Sequence, residues 1–245
     1  MIMKKKLFGA AVISMMSLGV MAQVRHSTST TSAPGKEGNF IIKGGLNLAN
    51  ISVSSNGRVD QANALKTFVV GIGYDLPLGE YFSIQPGLLY TGKGSKTQYG
   101  KESNTGFYYK ATSNPMYLEI PVNFVGKIPL TQTSSFYLGA GPYAAMGITG
   151  KNKVDSYTLG VHRYSSSDIV YSNDNPTTAQ EENYGYGKIK RFDYGLNAVA
   201  GLEFTRFTLG ANYGYGLVKI NSGTDNTAND RGKNRVWSFT LGLKL

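Results

Sequence analysis

Tyr194–Leu217 reads YGLNAVAGLEFTRFTLGANYGYGL, and its alternation decides the fold. Tyr194, Leu196, Ala198, Ala200, Leu202 and Phe204 share one parity; Gly195, Asn197, Val199, Gly201 and Glu203 share the other. After Thr205-Arg206 the pattern resumes, with Phe207, Leu209, Ala211, Tyr213, Tyr215 and Leu217 against Thr208, Gly210, Asn212, Gly214 and Gly216. A period of two is the mark of a β-strand. Folding the segment at Thr205-Arg206 pairs Phe204 with Phe207, Leu202 with Leu209 and Glu203 with Thr208. A slip by one residue would reverse every side chain, so the agreement fixes the register. The second face is small as well as polar. This predicts an apolar face turned to lipid and a small polar face turned into a narrow barrel.

The rest of the chain repeats the pattern. Alternation predicts strands over Phe40–Ile51, Thr67–Leu78, Tyr81–Thr91, Met116–Ile128 and Phe136–Ile148, then the opening hairpin from about Lys188, then a last strand ending at Leu245. Pro86 and Pro121 fall inside strands and are expected to mark bulges. The connections alternate long and short, the long ones being Ser52–Asn63, Gly92–Asn114, Thr149–Gly187 and Asn221–Lys233. An up-and-down barrel with all its long loops at one end has this arrangement. Charges of outward parity, such as Lys66, Lys190, Lys219 and Arg235, sit near the loop ends, whereas mid-strand charges point inward. A soluble barrel or sandwich, with its apolar face inside, is the alternative, since alternation alone does not state which face is interior. Against it stand Lys43, Asp75, Glu119, Lys127, Asp193, Glu203 and Lys244 on the inner parity. Two aromatic belts agree with a bilayer: Phe40, Phe82, Phe124, Phe204 and Phe207 near the short turns, and Tyr90, Tyr194, Tyr213, Tyr215 and Trp237 near the loops.

The expected fold is all-β: an eight-stranded antiparallel up-and-down transmembrane β-barrel over residues 39–245. Residues 1–22 read as a cleaved signal, with Lys4, Lys5 and Lys6 before an apolar run and Val20-Met21-Ala22 before the cut. An anchor helix is the alternative there. Residues 23–38, rich in Ser and Thr, read as a flexible periplasmic lead-in. The 31 glycines exceed a usual share of about 7%, without a collagen triplet. There is no cysteine, so disulfides, thiolate metal sites and a lipidated Cys are excluded. Net charge is +10, of which the three signal lysines supply three, leaving +7, and the remaining Lys and Arg lie mostly on loops and strand ends. That distribution suits a solvated or headgroup-facing surface and implies no nucleic-acid partner.

The run Met116–Lys127, MYLEIPVNFVGK, resembles the "LEIP…K" strand of PorT-like outer-membrane β-barrel proteins of Bacteroidota, and Gly214-Tyr-Gly-Leu217 before an eighth strand is similar too. The resemblance spans about Phe40–Leu245. It implies a Gram-negative outer-membrane location and eight strands. The family's named member is associated with protein secretion, while most members have no assigned role. This chain departs from the usual pattern of outer-membrane barrels in placing Leu245 where an aromatic residue usually stands.

An eight-stranded barrel is narrow enough to be filled by side chains, and charges inside it must pair. Lys43, Asp75, Lys127, Glu203 and Lys244 are therefore expected to form an interior salt-bridge network near the short turns, a structural plug or, alternatively, a proton or ion path. Tyr157, Tyr164, Tyr171, Tyr184 and Tyr186, set among Ser and Asn in the longest loop, have the composition of an adaptable binding surface. His162, near Asp168 and Ser165–Ser167, is the only local constellation a rim hydrolase would use, and the same residues suit a plain polar loop. The Asp225–Asp230 run offers oxygens to Ca²⁺ but lacks EF-hand spacing. No phosphate loop, metal cluster or nucleophile elbow is present. The sequence thus predicts a non-enzymatic barrel, with no cofactor, whose long extracellular loops bind or serve the envelope. Its alternatives are an accessory of a secretion apparatus, and a rim enzyme or small channel. The expected partners are the outer-membrane bilayer, the barrel-assembly machinery during insertion, and an envelope or secretion protein. A monomer with both termini periplasmic is expected.

Overall fold

The computed structural model describes residues 38–52, 54–55, 58–59, 62–99, 107–158, 160–172, 188–220 and 232–245. Eight strands form the wall: β1 (Asn39–Ser52), β2 (Leu65–Pro77), β3 (Phe82–Gly92), β4 (Tyr108–Pro129), β5 (Ser134–Thr158), β6 (Phe192–Phe204), β7 (Phe207–Gly216) and β8 (Lys233–Lys244). Each pairs antiparallel with the next, and β8 returns to β1, with Ile42 opposite Leu243 and Leu48 opposite Trp237. Closure leaves no edge in the ring, so every strand finds two neighbours for its backbone groups. The opening hairpin has the register its pattern demands: Leu202 faces Leu209, Glu203 faces Thr208, and the Phe204 and Phe207 rings stack 4.4 Å apart. Among the described residues no helix is long and apolar enough to cross a membrane.

Burial is inverted relative to a protein folded in water. The outer wall exposes Leu46 (69%), Phe124 (58%) and Leu241 (57%). The interior buries Asp75 (2%), Asp193 (1%) and Asn47 (0%). An apolar band of this extent encircling a polar core is what strands crossing hydrocarbon require.

Three expectations need correction. Pro86 and Pro121 mark no bulge: the registers of β2–β3 and β3–β4 continue unshifted past both. The ladders simply lack paired residues beside them, between Gly73/Gly87 and Leu76/Ile84, and between Pro86/Val122 and Leu89/Glu119, so the missing N–H is tolerated without an extra residue. The bulge lies instead at Met116/Tyr117, where β5 contributes Ile148 as the extra residue. Moreover, Gly92–Asn114 and Thr149–Gly187 are not loops throughout. β4 starts at Tyr108 and β5 runs to Thr158, and the strands Ser95–Tyr99 and Val161–Asp168 flank them to make a sheet beyond the apolar band. Polar residues disguise these extensions, because outside the bilayer neither face needs an apolar stripe. The Asp225–Asp230 run, Tyr184 and Tyr186, and the expected signal and all of the lead-in but Gly38, lie outside the described residues.

Candidate functional site in the barrel interior and at its rim

The wall is thin on its inner side for a steric reason. A Cβ at Gly201 or Gly210 would overlap the Tyr137 hydroxyl, and one at Gly195 would overlap the Tyr143 ring. Glycines of β6 and β7 thus admit the tyrosines of β5, and large rings fill a narrow lumen.

Ascending from the short turns, the first layer is ionic. Lys127 Nζ lies 2.5 Å from Asp75 Oδ2 and 2.8 Å from Glu203 Oε2, and Lys244 Nζ lies 2.6 Å from Glu203 Oε1. Gln85 donates to Asp75 Oδ1 at 2.9 Å. Asp75, Lys127, Glu203 and Lys244 are brought together here; Lys43 faces the same end without a direct ion pair among the described residues. Above this layer is a cavity of about 70 Å³, lined in part by Lys43, Gly73, Asn123, Asn212, Ser238 and Thr240. That is room for a few waters.

A second ionic layer closes the cavity at the loop end. Lys93 Nζ meets Glu119 Oε2 at 2.7 Å and Asp193 Oδ2 at 3.1 Å, and sits 3.8 Å from the centre of the Tyr143 ring. Tyr143 and Asn234 also donate to Asp193, at 3.1 and 2.9 Å. Sequence reasoning placed Lys93 in a loop. The signal was present: residues 83, 85, 87, 89 and 91 face inward in β3, and 93 continues that parity past Gly92.

Over this layer the rim folds inward. The Tyr171 ring meets that of Tyr117 edge-on at 6.0 Å, and its hydroxyl donates to the Thr149 carbonyl at 2.7 Å. Gly147 leaves the space the Tyr171 ring fills. Burial pushes the Tyr171 phenol well above its ordinary range. Above it Ile51, Ile169, Ile189 and Ile220 form a buried apolar cluster drawn from four separate segments. The parallel pairing of Val170–Tyr171 with Lys188–Ile189 holds it in place.

The candidate surface tyrosines separate accordingly. Tyr171 is part of this cap, Tyr164 is exposed on the outermost strand, and Tyr157 lies on β5 opposite His162. His162 does not meet Asp168, which stands six residues, or about 20 Å, along the same extended strand. Its Nε2 lies instead 2.7 Å from Asp155 Oδ1 on an exposed face, and no serine hydroxyl joins this pair among the described residues.

Three solved barrels are similar in fold. Ail, the attachment invasion locus protein of Yersinia pestis, solved in complex with the heparin analogue sucrose octasulfate, is 16% identical, covering 85% of this chain and 99% of its own, with a TM-score of 0.38. Neisserial surface protein A is 13% identical, covering 85% and 96%, with a TM-score of 0.39. OprG from Pseudomonas aeruginosa is 12% identical, covering 85% and 96%, with a TM-score of 0.37. No curated protein matches the chain. The family described as outer membrane protein beta-barrel domain matches residues 21–222. With a closed eight-stranded ring, an apolar outer wall and an ionic interior already in view, the chain belongs to this family of bacterial outer-membrane β-barrels.

Proposed function

We propose that this barrel is a non-enzymatic surface protein whose extracellular sheet binds a partner or supports the envelope. The observation that carries the reading is the sheet beyond the apolar band. All eight residues of Val161–Asp168 are exposed, and among the described residues the strand pairs on one side only, with β5. Lys96, Thr112 and Lys153 occupy one row of that sheet, with Lys110 two residues from Thr112 on the same face. Cationic and tyrosyl groups on a rigid platform suit recognition better than catalysis. In this reading residues 1–22 are a cleaved signal, 23–38 a periplasmic lead-in, and both termini and the short turns face the periplasm. The barrel-assembly machinery is its partner during insertion.

A second reading, an accessory of a protein-secretion apparatus, is favoured by the PorT-like run Met116–Lys127 and would work through the short turns. In-cell photocrosslinking from Tyr164 on one side, and from Glu80, Thr131 and Arg206 on the other, separates the two. Capture of a defined partner from Tyr164 alone supports the surface reading. Capture of an envelope protein from the turns replaces it with the second.

A further inference from the structure

Within the wall the described interior holds four lysines and four carboxylates, unevenly shared. At the loop end Lys93 serves both Glu119 and Asp193. At the turn end Lys43, Lys127 and Lys244 share only Asp75 and Glu203. Every carboxylate oxygen of that pair is already engaged: Asp75 Oδ2 and Glu203 Oε2 by Lys127, Asp75 Oδ1 by Gln85, Glu203 Oε1 by Lys244. Lys43 is attracted by both carboxylates but touches neither. Its ammonium extends over Gly73, 3.6 Å from where a Cβ would stand, and lines the cavity. An ammonium held away from bulk water needs a counter-charge or hydrogen-bond acceptors. The same cavity holds Asn123, whose side-chain carbonyl has no partner and whose amide, turned over, presents N–H₂ instead, and the hydroxyl-bearing Ser238 and Thr240.

We propose that the cavity is a binding site for one monovalent, halide-sized anion, held by the Lys43 ammonium and the polar side chains around it. One surplus positive charge at this end sets the valence at one. The surplus negative charge at the loop end keeps the anion on the Lys43 side. Entry is from the short turns: Lys127, Lys244 and Glu203 of that layer keep 13–15% of their side-chain surface accessible and Asp75 alone is closed at 3%, whereas all three side chains of the layer at the loop end, beneath the isoleucine cap, keep 0–6%.

The test is a bromide titration of the purified full barrel, with gluconate as the replacing anion at constant ionic strength, reading the melting midpoint of wild type and Lys43→Gln. A saturable bromide-dependent rise in the wild type, absent from the variant, supports the site. The same dependence in both proteins overturns it. Bromide-soaked wild-type crystals supply a readout that needs no variant. An anomalous peak in contact with Lys43 Nζ supports the proposal; peaks on the outer surface alone, an adventitious ion only, overturn it.

Discussion

Lys93 joins two carboxylates that no other cation reaches within ion-pairing distance among the described residues. Its side chain is 4% exposed, and theirs are 6% and 0%. Lys93→Met would leave Glu119 and Asp193 buried together, and breaking a buried pair in this way costs about 3–5 kcal/mol. Urea unfolding of the refolded barrel is expected to show a loss of that order, recovered in large part when Glu119→Gln and Asp193→Asn are added. A second residue-scale expectation concerns the inner glycines. Gly201→Ala places a methyl group against the Leu209 carbonyl and the Tyr137 hydroxyl. Overpacking of this kind costs about 1–3 kcal/mol, read by the same unfolding experiment. If the variant matched the wild type, the account of the glycines as space for tyrosine would fail.

The elements above the bilayer obey different rules from those within it. Ile220, fully buried in the rim cluster, packs with residues from three other segments. Ile220→Ala is expected to destabilise the cap by about 2–5 kcal/mol. Because the wall does not depend on that cluster, the loss should appear as faster amide exchange at Ile169–Tyr171 and Ile189, with β6 and β7 unchanged. Replacing residues 153–165 by a short turn should leave the barrel inserted and its melting unaltered, since the apolar band of β5 ends at Ile148 and the cap residues Ile169 and Tyr171 are retained. The legibility of the sequence follows the same boundary. Inside the bilayer one face must be apolar, so every barrel strand announced itself by parity, as Tyr194–Leu217 does. Outside it the constraint vanishes: Tyr108–Asn114, Thr149–Thr158 and Val161–Asp168 are strands written in loop composition. Lys93 was overlooked at the join between the two regimes. The prolines misled in the opposite sense, because a ladder can omit a pair without inserting a residue. The pairing of the Lys127 layer could be anticipated from inward parity. The isoleucine cap could not, since its members come from segments without periodicity.

At the scale of the whole molecule, an ionic layer at each end, a cavity of about 70 Å³ between them and an apolar cap fill the barrel among the described residues. Wild-type protein in planar bilayers is expected to show no steady conductance; sustained single-channel steps would mean that the layers part. The central claim is that the outer face meets lipid while the inner face is filled by side chains. The chain has no cysteine, so single cysteines can be placed along Tyr194–Leu217 and spin-labelled without background. The most direct measurement is the accessibility of each label, in lipid bilayers, to oxygen and to a water-soluble nickel complex. The structure predicts strong oxygen contact at positions 196, 198, 200, 202, 209 and 211, and little contact with either reagent at 197, 199, 201, 208, 210 and 212. Nickel contact at the first set, or loss of the two-residue period, would contradict the account.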